Sequence, residues 1–202
     1  MKKLFFALLL TTSVMVSPSV GQLVVVGDTT GTDNFTTSDF YGVALSGGSG
    51  FVESVSWDLS VDGDAFFDFD GSGSFMDGTD AILDFGSLMG IDASDITFVW
   101  TDIENHPTLL TAEFAPGSFS AGDSFRFGAD TDFLTDPAPG SAFGDSGVIF
   151  NVNFASGESV SGVFQTVGAD QSIVTLTSSA IPEPSAAMII VLAMCLPVIR
   201  RR

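Results

Sequence analysis

Residues 51–61 read Phe-Val-Glu-Ser-Val-Ser-Trp-Asp-Leu-Ser-Val. The odd positions Phe51, Val55, Trp57, Leu59 and Val61 are apolar, the even positions Ser54, Ser56, Asp58 and Ser60 are polar, and Glu53 alone interrupts the apolar set. Successive side chains of a strand point to opposite faces, so this period of two predicts a half-buried strand and not a helix face.

The same period returns on either side. Val148, Phe150, Val152 and Phe154 alternate with Asn151 and Asn153. Phe125 and Phe127 flank Arg126, Ile96, Phe98 and Trp100 share a phase, and so do Val160, Gly162 and Phe164. Leu23 to Val26, Ala65 to Phe69, Leu109 to Phe114 and Ser172 to Thr177 are further strand candidates. Turn signals punctuate them at short intervals: GDTTGTD, SGGSG, DGTD, PGSFSAGD, DPAPGSAFGD and ASGE. The one helical feature expected is a single turn near Leu88 or Ala93. Roughly nine to eleven short strands predict an all-β, antiparallel β-sandwich or jelly-roll-like body over residues 22–178, without internal repeat or second domain. Phe occurs 20 times against one Tyr and two Trp. Ring platforms that meet sugars favour Trp and Tyr, so Phe in strand phase reads as core, as do Trp57 and Trp100 from their apolar neighbours.

Charge narrows the function classes. The 202 residues carry 25 acids and 6 Lys plus Arg, for a net charge of −19. Lys2, Lys3, Arg200, Arg201 and Arg202 sit at the extremes, and Arg126 is the only basic side chain between them. Such a body is repelled by nucleic-acid phosphates and anionic lipid, which excludes DNA and RNA as partners. The single Cys, Cys195, lies in a C-terminal apolar run, so the body has neither an internal disulfide nor a thiolate metal site. His106 is the only imidazole. It stands in a polar loop before Pro107 with no nucleophile motif nearby, which argues against triad chemistry and against a zinc site.

The two ends read as addresses. Met-Lys-Lys, then LFFALLLTTSVMV, then the small residues Ser19 and Gly21, form a secretory signal peptide over 1–21, with cleavage expected between Gly21 and Gln22. At the other end, residues 179–202 hold a linker, Pro182-Glu183-Pro184, an apolar helix over 186–199 and the basic end 200–202. That helix is about 21 Å long against a hydrocarbon core of about 30 Å, short for a span unless neighbouring residues join it and the arginines snorkel. The positive-inside rule keeps Arg200, Arg201 and Arg202 cytoplasmic and the body outside.

This order of Pro182-Glu183-Pro184, short apolar helix and terminal arginines resembles the PEP-CTERM sorting signal of bacterial exosortase substrates. The resemblance is confined mainly to the tail. It implies recognition and cleavage by an exosortase-type membrane protease, followed by release to the surface or matrix. The stretch from AFFDFDGSGSF through FRFGADTDF is also similar to bodies of other proteins with such tails, which assigns no activity. A plain anchor would not require Pro-Glu-Pro at the membrane boundary. A GPI signal would end apolar, and a sortase signal would need LPxTG.

One acidic stretch stands out. Asp58, Asp62, Asp64, Asp68, Asp70, Asp77, Asp80 and Asp84 fall together with no cation among them. Oxygen ligands without neutralising Lys or Arg suit Ca²⁺, so Asp62, Asp64, Asp68, Asp70, Asp77 and Asp80 are the candidate calcium ligands, with Phe67 and Phe69 turned to the core. The EF-hand pattern begins at Asp58 but fails at its twelfth position, Phe69. The competing reading is a solvated acidic face of a secreted protein.

The expectation is an exported bacterial surface or extracellular-matrix protein with a non-enzymatic structural or adhesive role. It is anchored transiently through its tail, and its partners are an exosortase and exopolysaccharide or matrix components. A secreted carbohydrate-binding module is the first alternative. A carboxylate-based secreted hydrolase is the second, and it requires a cleft holding two carboxylates at catalytic separation.

Overall fold

The protein is described from a computed structural model, over residues 22–31, 38–62, 65–67, 84–100, 107–129, 131–133, 147–168 and 171–179. All of these fall within one unit, Gly21–Ala180. Every ladder among them is antiparallel.

Six strands make the first sheet: β1 (Leu23–Thr30), β2 (Tyr41–Gly47), β5 (Asp84–Met89), β8 (Ser124–Gly128), β12 (Gln165–Gly168) and β13 (Gln171–Thr177), in the order β12-β13-β1-β2-β8-β5. Five make the second: β3 (Val52–Asp58), β6 (Ile96–Trp100), β7 (Leu109–Phe114), β10 (Ile149–Phe154) and β11 (Ser159–Val163), in the order β11-β10-β3-β7-β6. A small ladder joins β4 (Ala65–Phe67) to β9 (Thr131–Phe133).

The predicted alternation is what lets two sheets share a core. Val25, Val43 and Leu45 of the first sheet and Val55, Trp57, Leu110, Phe150 and Val152 of the second belong to one buried cluster. Rings bridge the sheets: Trp57 meets Phe127 edge-to-face at 5.0 Å and Tyr41 at 6.0 Å, and Phe98 meets Phe127 at 4.7 Å. Each buried side chain of this size contributes about 1.5–3 kcal/mol through burial, and each well-placed ring pair about 0.5–1.5 kcal/mol more. The Trp57 Nε1–H has no oxygen acceptor among the described residues. The Trp57 ring itself packs edge-to-face against Tyr41 and Phe127.

The structure refines several expectations. Thirteen strands lie among the described residues, more than the pattern indicated. Of those added, β2 begins Tyr-Gly-Val with all three buried, so it shows no alternation to read. Leu88 lies in β5, and the expected turn is a 3-10 turn at Ala93–Asp95. The strand expected over Ala65 to Phe69 is described for Ala65–Phe67, and Phe66 is buried together with Phe67. The face expected to carry carboxylates to solvent is thus covered at Phe66.

Glu53 marks a bulge. Ser54 pairs Asn153 and Val52 pairs Phe154, so β3 spends one extra residue against β10. That slip turns Val52 inward in phase with the buried face, and leaves Phe51 43% exposed instead of in the core. Val61 is exposed for a different reason, because the chain has already left β3 for a 3-10 turn at Ser60–Asp62. Asp58 opens that turn, its Oδ1 accepting the Ser60 N–H at 2.9 Å.

Candidate functional site

β1 and β13 are neighbours running in opposite directions, so the point where the chain enters the sheet and the point where it leaves adjoin. The Ser178 N–H donates to the Leu23 carbonyl at 2.9 Å, and the Leu23 N–H donates to Ser178 Oγ at 3.1 Å. Ser178 is buried, and the next residue is fastened as well: the Ser179 N–H and hydroxyl both donate to Glu158 Oε1 at 2.7 Å. Gln22, the first residue of the expected mature chain, is exposed beside this exit.

Backbone bonds join the turns around that same end. Gly122 N–H donates to the Leu45 carbonyl and Leu45 N–H to the Asp123 carbonyl, both at 2.9 Å. Val52 N–H donates to the Phe119 carbonyl, and Ala155 N–H to the Phe51 carbonyl, both at 3.0 Å. The turn at 120–123 is closed by Asp123, whose Oδ2 accepts the Ser120 N–H at 2.7 Å and its hydroxyl at 2.9 Å. Phe119 plugs the core from this side, stacked on Phe114 at 4.3 Å and edge-on to Phe125 at 5.5 Å.

Among these turns lies a groove of about 340 Å³, lined chiefly by Phe51, Glu53, Ser54, Glu113, Phe114 and Pro116. Glu53 enters it through the bulge. Glu113 enters from the C-terminal end of β7, where it pairs Ser54 across the ladder. Both carboxylates are exposed at the lip. Beyond the groove, the outer face of the second sheet is a polar row: Asn153 Nδ2 donates to Ser54 Oγ at 2.9 Å, the Ser159 hydroxyl to Asn153 Oδ1 at 2.6 Å, and Asn151 Nδ2 to Ser56 Oγ at 3.3 Å.

The body's single basic residue is placed elsewhere. On the outer face of the first sheet, Arg126 Nη2 donates to Asp28 Oδ1 at 2.7 Å and Nε to the Asp39 carbonyl at 2.8 Å, tying β8 to the start of β2. Asp39 in turn accepts the Ser87 N–H at 2.8 Å, where β5 bulges against β8. Arg126 thus clamps β8 to β1 and to the start of β2.

Neither Glu53 nor Glu113 was singled out by sequence. The one signal was the interruption at Glu53, which marks where a strand bulges and re-aims a side chain. Of the tryptophans weighed as sugar platforms, Trp57 is completely buried, while Trp100, at the end of edge strand β6, is 42% exposed. The expectation that Trp100 lies in the core is therefore corrected: its phase is inward, but among the described residues β6 is the edge of its sheet. Of the predicted calcium ligands, Asp62 falls in the 3-10 turn, while Asp64, Asp68, Asp70, Asp77 and Asp80 lie outside the described residues, as does His106. Among the described residues, no group of three or more His, Cys, Asp or Glu side chains is placed to hold a metal ion. Gly21, Pro182, Glu183, Pro184, Arg200, Arg201 and Arg202 also lie outside the described residues. Among the described residues no helix is long and apolar enough to cross a membrane. None of the family models, curated proteins and solved structures compared with the chain matches it.

Proposed function

We propose that this chain is an exported bacterial surface or extracellular-matrix protein, sorted through its PEP-CTERM-like tail by an exosortase and serving a structural or adhesive role without catalysis. Its body is a β-sandwich of the jelly-roll kind, made by the two sheets that share the aromatic core. What carries the reading is the ordered tail, Pro182-Glu183-Pro184, then the apolar run, then Arg200, Arg201 and Arg202. The adjacency of Leu23 and Ser178 supports it: the first and last strands of the body begin and end at neighbouring points, where both address segments join the chain. Prolines resist helix continuation, which suits Pro182-Glu183-Pro184 to recognition by a protease.

The test is the C-terminus of the exported protein in its native host. Mass spectrometry is expected to find it near residue 184. Intact peptides running through Arg202 would overturn processing and leave a plain anchor. Replacing the three terminal arginines with neutral residues is expected to weaken retention before cleavage, because those charges hold the tail end inside.

A further inference from the structure

We propose that the groove between the bulge of β3 and the end of β7 binds a glycan bearing free, protonated amino groups. Charge comes first. Glu53 and Glu113 line one groove, and the only Lys or Arg between residues 4 and 199, Arg126, is held by Asp28 on the other sheet. An ammonium group is a complement that no other Lys or Arg between residues 4 and 199 can supply, and carboxylates bind it through charge-assisted hydrogen bonds. Shape comes second. Phe51 at the lip is 43% exposed, a flat apolar ring able to cover the C–H face of a sugar and to attract a neighbouring cation.

The outer face favours a glycan over a basic peptide. From Ser54 the row of Asn153, Ser159, Asn151 and Ser56 continues away from the groove, offering amides and hydroxyls in sequence to a hydroxyl-rich chain. The biological setting rests on the surface or matrix reading above, whereas the binding itself does not.

Calorimetry at physiological ionic strength would decide, using the full chain in a neutral detergent and two probes, a glucosamine trimer and its fully N-acetylated counterpart. The free-amine trimer is expected to bind at least about tenfold more tightly. Glu53→Gln and Glu113→Gln are each expected to weaken it about threefold or more, and Phe51→Ala to weaken both trimers. Asp84→Asn removes one exposed charge from the opposite end of the body and is expected to leave affinity within about twofold. Equal affinity for the two trimers overturns the proposal. So does an Asp84→Asn loss as large as that of Glu113→Gln, which would mean that the acidic body as a whole attracts the cation. A trilysine peptide that binds more tightly than the glucosamine trimer would assign the groove to basic peptides instead. Because the unprocessed chain is used, failure here leaves the sorting reading standing, and an uncleaved tail in the host leaves this one standing.

Discussion

One row of side chains crosses the inner face of the second sheet, and its two ends differ. Strand by strand it runs Trp100, Leu110, Trp57, Phe150 and Gly162, each paired to the next in register. At the β11 end the first sheet presses so close that a Cβ on Gly162 would stand 2.7 Å from Leu176 Cδ2 and 3.0 Å from Val174 Cγ2. At the β6 end Phe98 still meets Phe127 at 4.7 Å and Phe85 at 5.5 Å, but the indole of Trp100, on the last residue of the strand, is 42% exposed. Between them Trp57 is completely buried. The row teaches that phase assigns a face, whereas what packs over that position assigns burial. The tight edge is where the chain steps from β11 into β12 through the buried Phe164. The open edge joins β5 and β6, where Met89, Val99 and Trp100 are exposed.

Substitutions along this row can break or sharpen the contrast. Trp57→Ala removes the largest buried side chain at its centre and is expected to destabilise the body by about 3–5 kcal/mol in a urea titration. A loss below about 1 kcal/mol would show that the sheets do not close on Trp57. Next is Gly162→Ala, expected to cost about 1–3 kcal/mol because Leu176 and Val174 must shift to admit a methyl group. A neutral or stabilising result, as at an open strand site, would erase the difference between the two edges. Arg126→Gln tests the outer face, away from the row. Losing a partly exposed ion pair and a backbone bond is expected to cost about 1 kcal/mol, and the loss should shrink when the Asp28→Asn change is already present. Trp100→Phe is expected to have the smallest effect, below about 0.5 kcal/mol, because the side chain is already half in water. Its readout is fluorescence: the remaining Trp57 should emit blue-shifted and resist acrylamide quenching, while Trp57→Phe should leave a red-shifted, quenchable Trp100. Similar quenching of both would contradict the row.

The sequence reached some residues and not others for identifiable reasons. In β3 and β10, alternation is nearly unbroken, and Val55, Trp57, Phe150 and Val152 are buried as their phase demands. In β2, Tyr41, Gly42 and Val43 are all buried, so period two was absent and the strand went unread. The groove was legible only as a flaw, Glu53 among apolar neighbours. Its partner Glu113 sits an ordinary polar step along β7, and nothing local distinguishes it from Thr111. Carboxylates so far apart in sequence come together only through the Ser54–Glu113 ladder position.

The sequence by itself determined the all-β class, the strong negative charge, the phase of the principal strands and the ordered tail on which the sorting proposal rests. Those are properties of neighbouring residues, set by period, composition and order along the chain. The tertiary structure decided strand order, and with it why Trp57 is buried and Trp100 is not. It also made β1 and β13 neighbours, so that the chain enters and leaves at one end, and gathered Phe51, Glu53 and Glu113 around one groove. Each of these depends on pairing between segments distant in the chain, whose register follows from how two apolar faces close on each other and not from any local run of residues.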